Sequence, residues 1–429
     1  MTNRIAVVGT GYVGLTTGAY LAHLGHDVVC ADVVPEKVAM LNAGRIPIFE
    51  PGLDELVKEG VESGRLTFVL GAATAAEDAE FVFLCVQTPQ GEDGSADMSY
   101  IRDAAAEIAP ALGREAIVIN KSTVPVGSTH IVEQAMGRPD VFVVSNPEFL
   151  REGSAVHDCL NPDRIVIGSE DQAAAMRVAK LFESLKAPLV ITDPASAETI
   201  KYASNAFLAS KVSFVNALAH VCEAVGADVR EVVLGMGYDK RIGFEFLRPG
   251  PGWGGSCFPK DTKALVKIAE DAGYDFDLLR GVISVNDEQY ERMVAKVEGM
   301  AGGSLDGKVI AAWGLTFKAR TDDLRDSPAI EVIRRLQRRG AIVRAYDPAI
   351  EPNDKREPVA NVDVHADPYS PCEGADVLVV LTEWDEFRWL DFAKVAGVMN
   401  SARVVDTRNL LEPPTIRRRG FVYEGLGRS

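Results

Sequence analysis

RIAVVGTGYVGL, residues 4–15, is a short apolar run followed by glycines at positions 9, 11 and 14. The run from Arg4 suits a strand buried on both faces, as in a parallel sheet. The glycines have the GxGxxG spacing of a strand-to-helix turn. Gly9 permits the tight turn, Gly11 lets the backbone approach a pyrophosphate, and Gly14 lets the helix close onto the strand. Tyr12 and Val13 sit in the same turn, among the backbone N–H groups that would face the ligand. The next apolar run, HDVVCAD, ends on Asp32. A carboxylate there is expected to bond the adenosine ribose hydroxyls and to repel a 2′-phosphate, so NAD is predicted over NADP. Lys37 is placed to assist at the ribose. A bound nicotinamide implies hydride transfer, and so a redox reaction.

Outward from this turn, the runs EFVFLCV, AIVINKS and VFVVSNP alternate with helical stretches. That order predicts right-handed crossovers and a parallel sheet over residues 1–190. A long proline-free helical pattern, ASAETIKYASNAFLASKVSFVNALAHVCEAVG, then leads to Gly226. It is expected to act as a spine and as a dimer surface within a central part, residues 191–300. From residue 301 to 429 a second strand series appears: KVIAAWGL, AIVRAYDP, ADVLVVLTEW and ARVVDTRN. It lacks a GxGxxG turn, so a dinucleotide is not its expected ligand. The predicted fold class is α/β, with two Rossmann-like doubly wound parallel-sheet domains joined by a long central helix.

The chain has 429 residues, 47% hydrophobic and 25% charged, with a formal net charge of −17. Such an acidic balance argues against nucleic acid or an anionic membrane as partner. No stretch has the length and apolarity of a transmembrane helix, and the N-terminus opens on a strand pattern in place of a signal peptide; a cytoplasmic protein is expected. The six cysteines are widely spaced, with neither a zinc pattern nor a disulfide framework, and no metal is predicted.

Five of those cysteines lie outside glycine-rich loops; Cys257 is within PGPGWGGSCFPKD, residues 249–261. That stretch has neither strand nor helix periodicity, and DTKALVKIAEDAG after it reads as an amphipathic helix. Pro259 suits a first helical turn. Cys257 is therefore expected at a helix N-terminus, where the dipole favours a thiolate.

The motifs GTGYVG with Asp32, KSTVPVGST, NPEFLREGSAVHD, ETIKYASNAFLASKVSFVN, GPGWGGSCFPKD and FKARTDDLRDSPA follow one another in this order. In this set the chain resembles the nucleotide-sugar 6-dehydrogenases of the UDP-glucose/GDP-mannose dehydrogenase family. The resemblance implies a dimer or higher oligomer, and oxidation of a sugar C6 alcohol to a carboxylate with two NAD⁺. UDP-glucose is the expected substrate. The same chemistry on dTDP-glucose or GDP-mannose is the enzymatic alternative, and a nucleotide-sugar sensor is the non-enzymatic one.

It also implies roles. Cys257 matches the nucleophile that makes a thiohemiacetal and then a thioester. Lys201 and Asn205, four residues apart and so on one helix face, match groups that hold the developing oxyanion. Asp261 matches a carboxylate that handles protons or positions water. Thr123 and Glu152 match a pair that orients water near the reacting carbon and contacts the cofactor. Thr88, Lys260 and Arg325 match further cofactor contacts. For the nucleotide sugar the matches are Glu148, Phe149, Leu150, Arg151 and Glu152, with Lys201 and Asn205. Phe246, Leu247, Arg248, Pro249, Gly250 and Gly254 line the same ligand, with Phe317 and Lys318 from the last part of the chain. Arg241 matches an arginine that reaches substrate across a subunit interface. Trp253 stands where tyrosine or phenylalanine is usual and bears on fine specificity.

Overall fold

A computed structural model describes residues 2–89, 91, 96–352 and 354–428. The chain packs as two compact units, residues 1–204 with 263–272, and residues 205–262 with 273–429. Helices from the stretch 191–300 contribute to both.

The first unit is built on an eight-stranded sheet. Its strands are β1 (Arg4–Val8), β2 (Asp27–Asp32), β3 (Leu66–Leu70), β4 (Phe81–Leu84), β5 (Ile117–Asn120), β6 (Phe142–Ser145), β7 (Ile165–Gly168) and β8 (Leu189–Thr192). They lie in the order β3-β2-β1-β4-β5-β6-β7-β8. The first six are parallel, as the alternating pattern predicts. β7 departs from the all-parallel expectation. It joins β6 antiparallel through a single pairing, Ser145 with Gly168, and β8 then runs parallel to it. Each central strand is buried on both faces. Ile5, Val7, Phe83 and Ile119 enter one core, and Ala6, Val8, Leu84 and Val118 the other. Strand order reverses direction between β1 and β4. In open α/β sheets ligands bind at that switch point, beyond the carboxyl ends of the strands.

The second unit has a six-stranded, fully parallel sheet. Its strands are β9 (Val309–Trp313), β10 (Ile342–Tyr346), β11 (Asp363–Val364), β12 (Val377–Val380), β13 (Arg403–Asp406) and β14 (Val422–Gly425). Their order, β11-β10-β9-β12-β13-β14, repeats the winding of the first sheet. Gly314 follows β9 at φ +100°, and a Cβ on it would fall 2.3 Å from Cβ of Thr382. Asp347, just past β10, accepts from the backbone N–H of Leu315 at 2.7 Å and of Thr316 at 3.0 Å. The Trp384 indole N–H donates to the same carboxylate at 3.2 Å.

The expected long helix runs from Pro194 to Val225, 32 residues, or about 48 Å at 1.5 Å per residue. Proline opens it at a position where no N–H is needed. Gly226 closes it at φ +75°, the left-handed conformation that suits glycine. Its residues through Ser204 belong to the first unit and those from Asn205 to the second.

Candidate active site

In the first unit the three turn glycines stand in different surroundings. Gly9 has φ +95°, and a Cβ there would lie 2.7 Å from the Cys85 carbonyl oxygen. A Cβ on Gly14 would lie 1.9 Å from the Gly9 oxygen, so the helix Tyr12–His23 can approach the turn this closely only with glycine. A Cβ on Gly11 would meet nothing within 4 Å. Packing does not demand glycine at position 11; the open space above it, beside the first-turn N–H groups of Tyr12 and Val13, fits an approaching pyrophosphate.

Asp32 ends β2 beside this turn. Its carboxylate accepts from the Thr10 N–H at 3.2 Å, the Thr10 hydroxyl, the Val34 N–H at 3.1 Å and Lys37 Nζ at 2.8 Å. Burial alone would raise its pKa, but the Lys37 and Thr10 bonds outweigh burial and hold the carboxyl below the usual range. A charged Asp32 suits ribose hydroxyls and disfavours a 2′-phosphate. Lys37 is thus placed on Asp32 itself. The Tyr12 side chain is committed to the protein: its hydroxyl bonds Glu50, and the Gly153 N–H donates to Glu50 at 2.6 Å. The residues present fit NAD.

Thr88 and Thr123, from the loops after β4 and β5, are brought together, with the Thr88 hydroxyl donating to the Thr123 carbonyl at 2.8 Å. The Thr123 loop is anchored by a residue that the sequence reading passed over. Buried Glu198 accepts from the N–H groups of Gly127 at 2.6 Å and Thr129 at 3.0 Å, and from the Thr129 hydroxyl at 2.9 Å. It thereby satisfies the start of the helix Ser128–Met136.

Glu148 and Lys201 form a buried ion pair at 2.7 Å, and Glu148 also accepts from the Leu150 N–H at 2.7 Å. Burial opposes the Glu148 charge, yet the Lys201 ammonium outweighs it, and the carboxyl titrates below its ordinary value. Phe149 lies beside Lys201, whose Nζ is 5.6 Å from the ring centroid, and Arg164 stacks on the ring at 3.5 Å. Arg151 is turned to the surface, paired with Asp158 at 2.6 Å. Glu152 is half-buried, and its charge reaches the Tyr12 hydroxyl.

In the second unit Cys257 directly precedes the helix Phe258–Asp271 and its carbonyl accepts the Asp261 N–H at 2.9 Å. The thiol is half-exposed, whereas the other five cysteines are buried. Ser256 Oγ lies 3.5 Å from Cys257 Sγ. One turn on, Asp261 is buried and its carboxylate is held from two sides, by Asn205 Nδ2 and by Lys260 Nζ, each at 2.6 Å.

The glycines before the cysteine are explained by crowding. A Cβ on Gly252 would lie 2.5 Å from the Tyr290 ring, on Gly254 1.9 Å from the Asp326 oxygen, and on Gly255 2.8 Å from the Phe317 ring. Trp253 is pinned between them: its indole N–H donates to Ser213 Oγ at 2.8 Å, and its backbone N–H to Asn286 at 2.8 Å. Asn216 accepts from the Gly250 N–H at 2.8 Å, and Gln289 donates to the Gly250 carbonyl at 2.7 Å. Ser213, Asn216, Asn286, Gln289 and Tyr290 were all missed in sequence; their only signal was a polar group on an otherwise apolar helix face.

Phe246 takes φ +61°, uncommon for a bulky residue, and its ring lies 6.1 Å from that of Phe258. Leu247, Pro249 and Gly250 are buried, while Arg248 is exposed. Lys318 Nζ stands 5.3 Å from the Phe317 ring centroid. Arg408, also unforeseen, donates to the Phe317 carbonyl at 3.2 Å and to the Leu381 carbonyl at 2.8 Å, and its Nη1 is 3.1 Å from where a Gly250 Cβ would stand. Arg325 is bonded to Asp323 at 2.7 Å. Arg241 is apart from this cluster, its side chain 89% exposed and paired with Asp239 at 2.6 Å.

A glycine turn at the switch point of a doubly wound sheet, a charged carboxylate after the second strand and a presented thiol at a helix start define an NAD-linked oxidoreductase. Models of the UDP-glucose/GDP-mannose dehydrogenase family match over the whole length: its NAD binding domain at residues 3–186, its central domain at 195–288 and its UDP binding domain at 311–413. A UDP-glucose 6-dehydrogenase of Rhizobium meliloti (strain 1021) is 47% identical, the match covering 99% of each chain. UDP-glucose 6-dehydrogenase TuaD of Bacillus subtilis (strain 168) is 43% identical over 99% of this chain and 93% of its own. The solved structure of a UDP-glucose dehydrogenase from Pyrobaculum islandicum superposes with a TM-score of 0.92 at 38% identity, covering 100% of this chain and 98% of that one. The chain belongs to the UDP-glucose/GDP-mannose dehydrogenase family.

Proposed function

We propose that this protein oxidises UDP-glucose at C6 to UDP-glucuronate, reducing two NAD⁺, with Cys257 carrying the sugar between the two oxidations. The observation that carries this reading is the thiol of Cys257, the one half-exposed cysteine among the described residues, fixed at a helix start one turn from the buried Asn205–Asp261 pair. Family membership supports the substrate class, and the relatives' names support UDP-glucose within it.

When bound along Gly9–Gly14 and Asp32, NAD supplies a hydride acceptor at each oxidation. The first oxidation turns the C6 alcohol into an aldehyde, which has no alkoxide from which a second hydride can leave. Cys257 restores one: its sulfur adds to the carbonyl carbon and the oxygen becomes a thiohemiacetal hydroxyl. Lys201 and Asn205 stabilise the negative oxygen as it forms. Loss of a proton and a hydride leaves a thioester. Water, oriented by Asp261 and the Thr123–Glu152 pair, cleaves it to the carboxylate and frees the thiol. Lys318 supplies positive charge suited to a diphosphate, as does Arg408, which is also paired with Glu383 at 3.0 Å.

The reading extends to assembly and compartment. On the long helix Phe207, Phe214, Val221 and Val225 are 67%, 57%, 55% and 71% exposed, and the first three recur every seven residues. An apolar stripe of that period suits packing against the same helix of a second copy, which supports a homodimer or higher oligomer. All six cysteines are free, which suits the reducing cytoplasm. Among the described residues no helix is long and apolar enough to cross a membrane.

The test is the yield of NADH per UDP-glucose consumed, for wild type and for Cys257→Ser. Two NADH from wild type, with the variant unable to release acid, is expected. One NADH from both proteins would reduce the reaction to simple alcohol oxidation.

A further inference from the structure

The first unit holds a second buried ammonium for which this scheme has no task. Lys121 directly follows β5, is 8% exposed, and donates from Nζ to Asn146 Oδ1 at 2.9 Å. Asn146 Nδ2 is itself committed to the Val166 carbonyl at 2.7 Å. Asn146 is neutral, so this bond orients the amine without balancing its charge. The titratable groups that act most strongly on Lys121 are Glu148, Lys201 and the thiols of Cys85 and Cys159. Burial pushes both thiols up to about 12, so they stay neutral at working pH. Glu148 acts on both amines, and it is bonded to Lys201 at 2.7 Å. Burial is also the largest influence on Lys121; it pulls the ammonium below its ordinary value, and Lys201 adds to that. Both influences ease the loss of the Lys121 proton.

Lys121 and Glu148 share the wall of a cavity of about 130 Å³, whose lining also includes Arg151, His157 and Asp158. Water occupies about 30 Å³ in the liquid, so the space accommodates several molecules. Arg151 and His157 are exposed. The cavity therefore runs from the buried amine to solvent. Each oxidation in the proposed reaction releases a proton as well as a hydride; the Lys201 side chain is 4% exposed and, unlike Lys121 and Glu148, is not part of the cavity wall.

We propose that Lys121 is a proton relay, taking protons from the Glu148–Lys201 pair and passing them through this cavity to solvent beside His157 and Asp158. The proton moves from the pair to the neutral Lys121 amine, making an ammonium, and from there to water; no bond to carbon changes and no electrons are exchanged. The inference rests on the dehydrogenase reading above.

The test compares Lys121→Ala, Lys121→Gln and His157→Trp with wild type, measuring kcat on UDP-glucose, its solvent deuterium isotope effect, and the response to added methylamine. Thermal melts and NAD binding report folding. Expected for Lys121→Ala is a kcat at least tenfold lower, a larger isotope effect, and recovery in proportion to free methylamine base. Lys121→Gln, which keeps a donor for Asn146 but carries no proton, should lose as much. His157→Trp, at the exposed mouth, should lower kcat and enlarge the isotope effect while leaving the KM for UDP-glucose in place. Wild-type kcat in both Lys121 variants overturns the proposal. So does a fall in kcat with an unchanged isotope effect and no response to methylamine, the pattern of a structural role alone. Should both Lys121 variants fail to fold, an unaltered kcat and isotope effect in His157→Trp overturns it. A wild type that leaves UDP-glucose unoxidised would instead strike the dehydrogenase reading, a separate failure.

Discussion

The side-chain amide of Asn205 donates to the buried carboxylate of Asp261 at 2.6 Å, one helical turn from the Cys257 thiol. An amide nitrogen has two hydrogens, so Asn205 can position Asp261 and still offer a donor to a developing oxyanion. Asn205→Ala should lower kcat about 100- to 1000-fold, the usual cost of an oxyanion donor, with little change in the KM for NAD. Asn205→Asp puts two carboxylates in contact, and such a pair cannot be fully ionised at once. Its melting temperature should fall more at pH 8 than at pH 5. Equal losses at the two pH values would mean that residues 205 and 261 are not in contact.

The three turn glycines make a second prediction, because they differ in what surrounds them. Gly14→Ala forces a methyl to 1.9 Å from a backbone oxygen and should cost several kcal/mol, on the order of the largest single-substitution effects. Gly11 has φ −68° and open space around its Cβ position. Gly11→Ala should therefore melt within about 2 °C of wild type while its NAD affinity falls at least tenfold, since the methyl occupies the path of the pyrophosphate. Calorimetry with NAD titration separates the two effects. Unchanged NAD affinity in Gly11→Ala would place the cofactor elsewhere.

Acid should weaken the second unit through Glu223. Burial raises this carboxyl, but His220, Lys296 at 2.8 Å and the Gly427 N–H at 2.7 Å outweigh burial and bring it to about 2 from an ordinary 4.5. A depressed carboxyl stabilises the fold fully above its unfolded value and loses that contribution as pH falls from 4.5 toward 2. The contribution is at most about 3 kcal/mol. Glu223→Gln should lower stability at pH 7 and flatten its decline between pH 5 and pH 2, measured by urea unfolding. An equally steep decline in the variant would assign the acid sensitivity to other groups.

The apolar stripe of the long helix offers a fourth test. Phe214→Glu, or Phe207→Glu with it, should shift sedimentation toward a single copy and reduce the melting temperature's dependence on protein concentration. Oligomers that persist through both changes would place the interface on another face.

How much of this was legible in the sequence depends on how local the cause is. Gly9, Gly11, Gly14 and Asp32 lie within one strand-turn-helix-strand unit, so their spacing encoded their geometry. The 32-residue helix was visible because proline is absent after Pro194 and Gly226 ends it. The reversal of β7 was not, since a short apolar strand has the same pattern in either direction and one pairing, Ser145 with Gly168, sets it. Cys257 was visible from its glycines, but not what grips them. Asn216, Asn286 and Gln289 reach the loop from 33 to 39 residues away, and nothing in their own neighbourhoods distinguishes them from other polar helix positions. Lys121 lay inside a quoted motif, yet its burial, not its identity, gives it consequence.

Asp347 occupies in the second sheet the position that Asp32 holds in the first, just beyond the strand beside a glycine of positive φ. Leu315, Thr316 and Trp384 fill its acceptor sites. The molecule thus contains the same architectural joint twice: a strand, a glycine of positive φ, and a carboxylate after the neighbouring strand that ties the turn down through the chain's own donors. In both, a Cβ on the turn glycine would strike a residue just past the strand on the other side, the Cys85 oxygen at 2.7 Å for Gly9 and the Thr382 Cβ at 2.3 Å for Gly314, so alanine at Gly314 should cost the second unit as much as alanine at Gly9 costs the first.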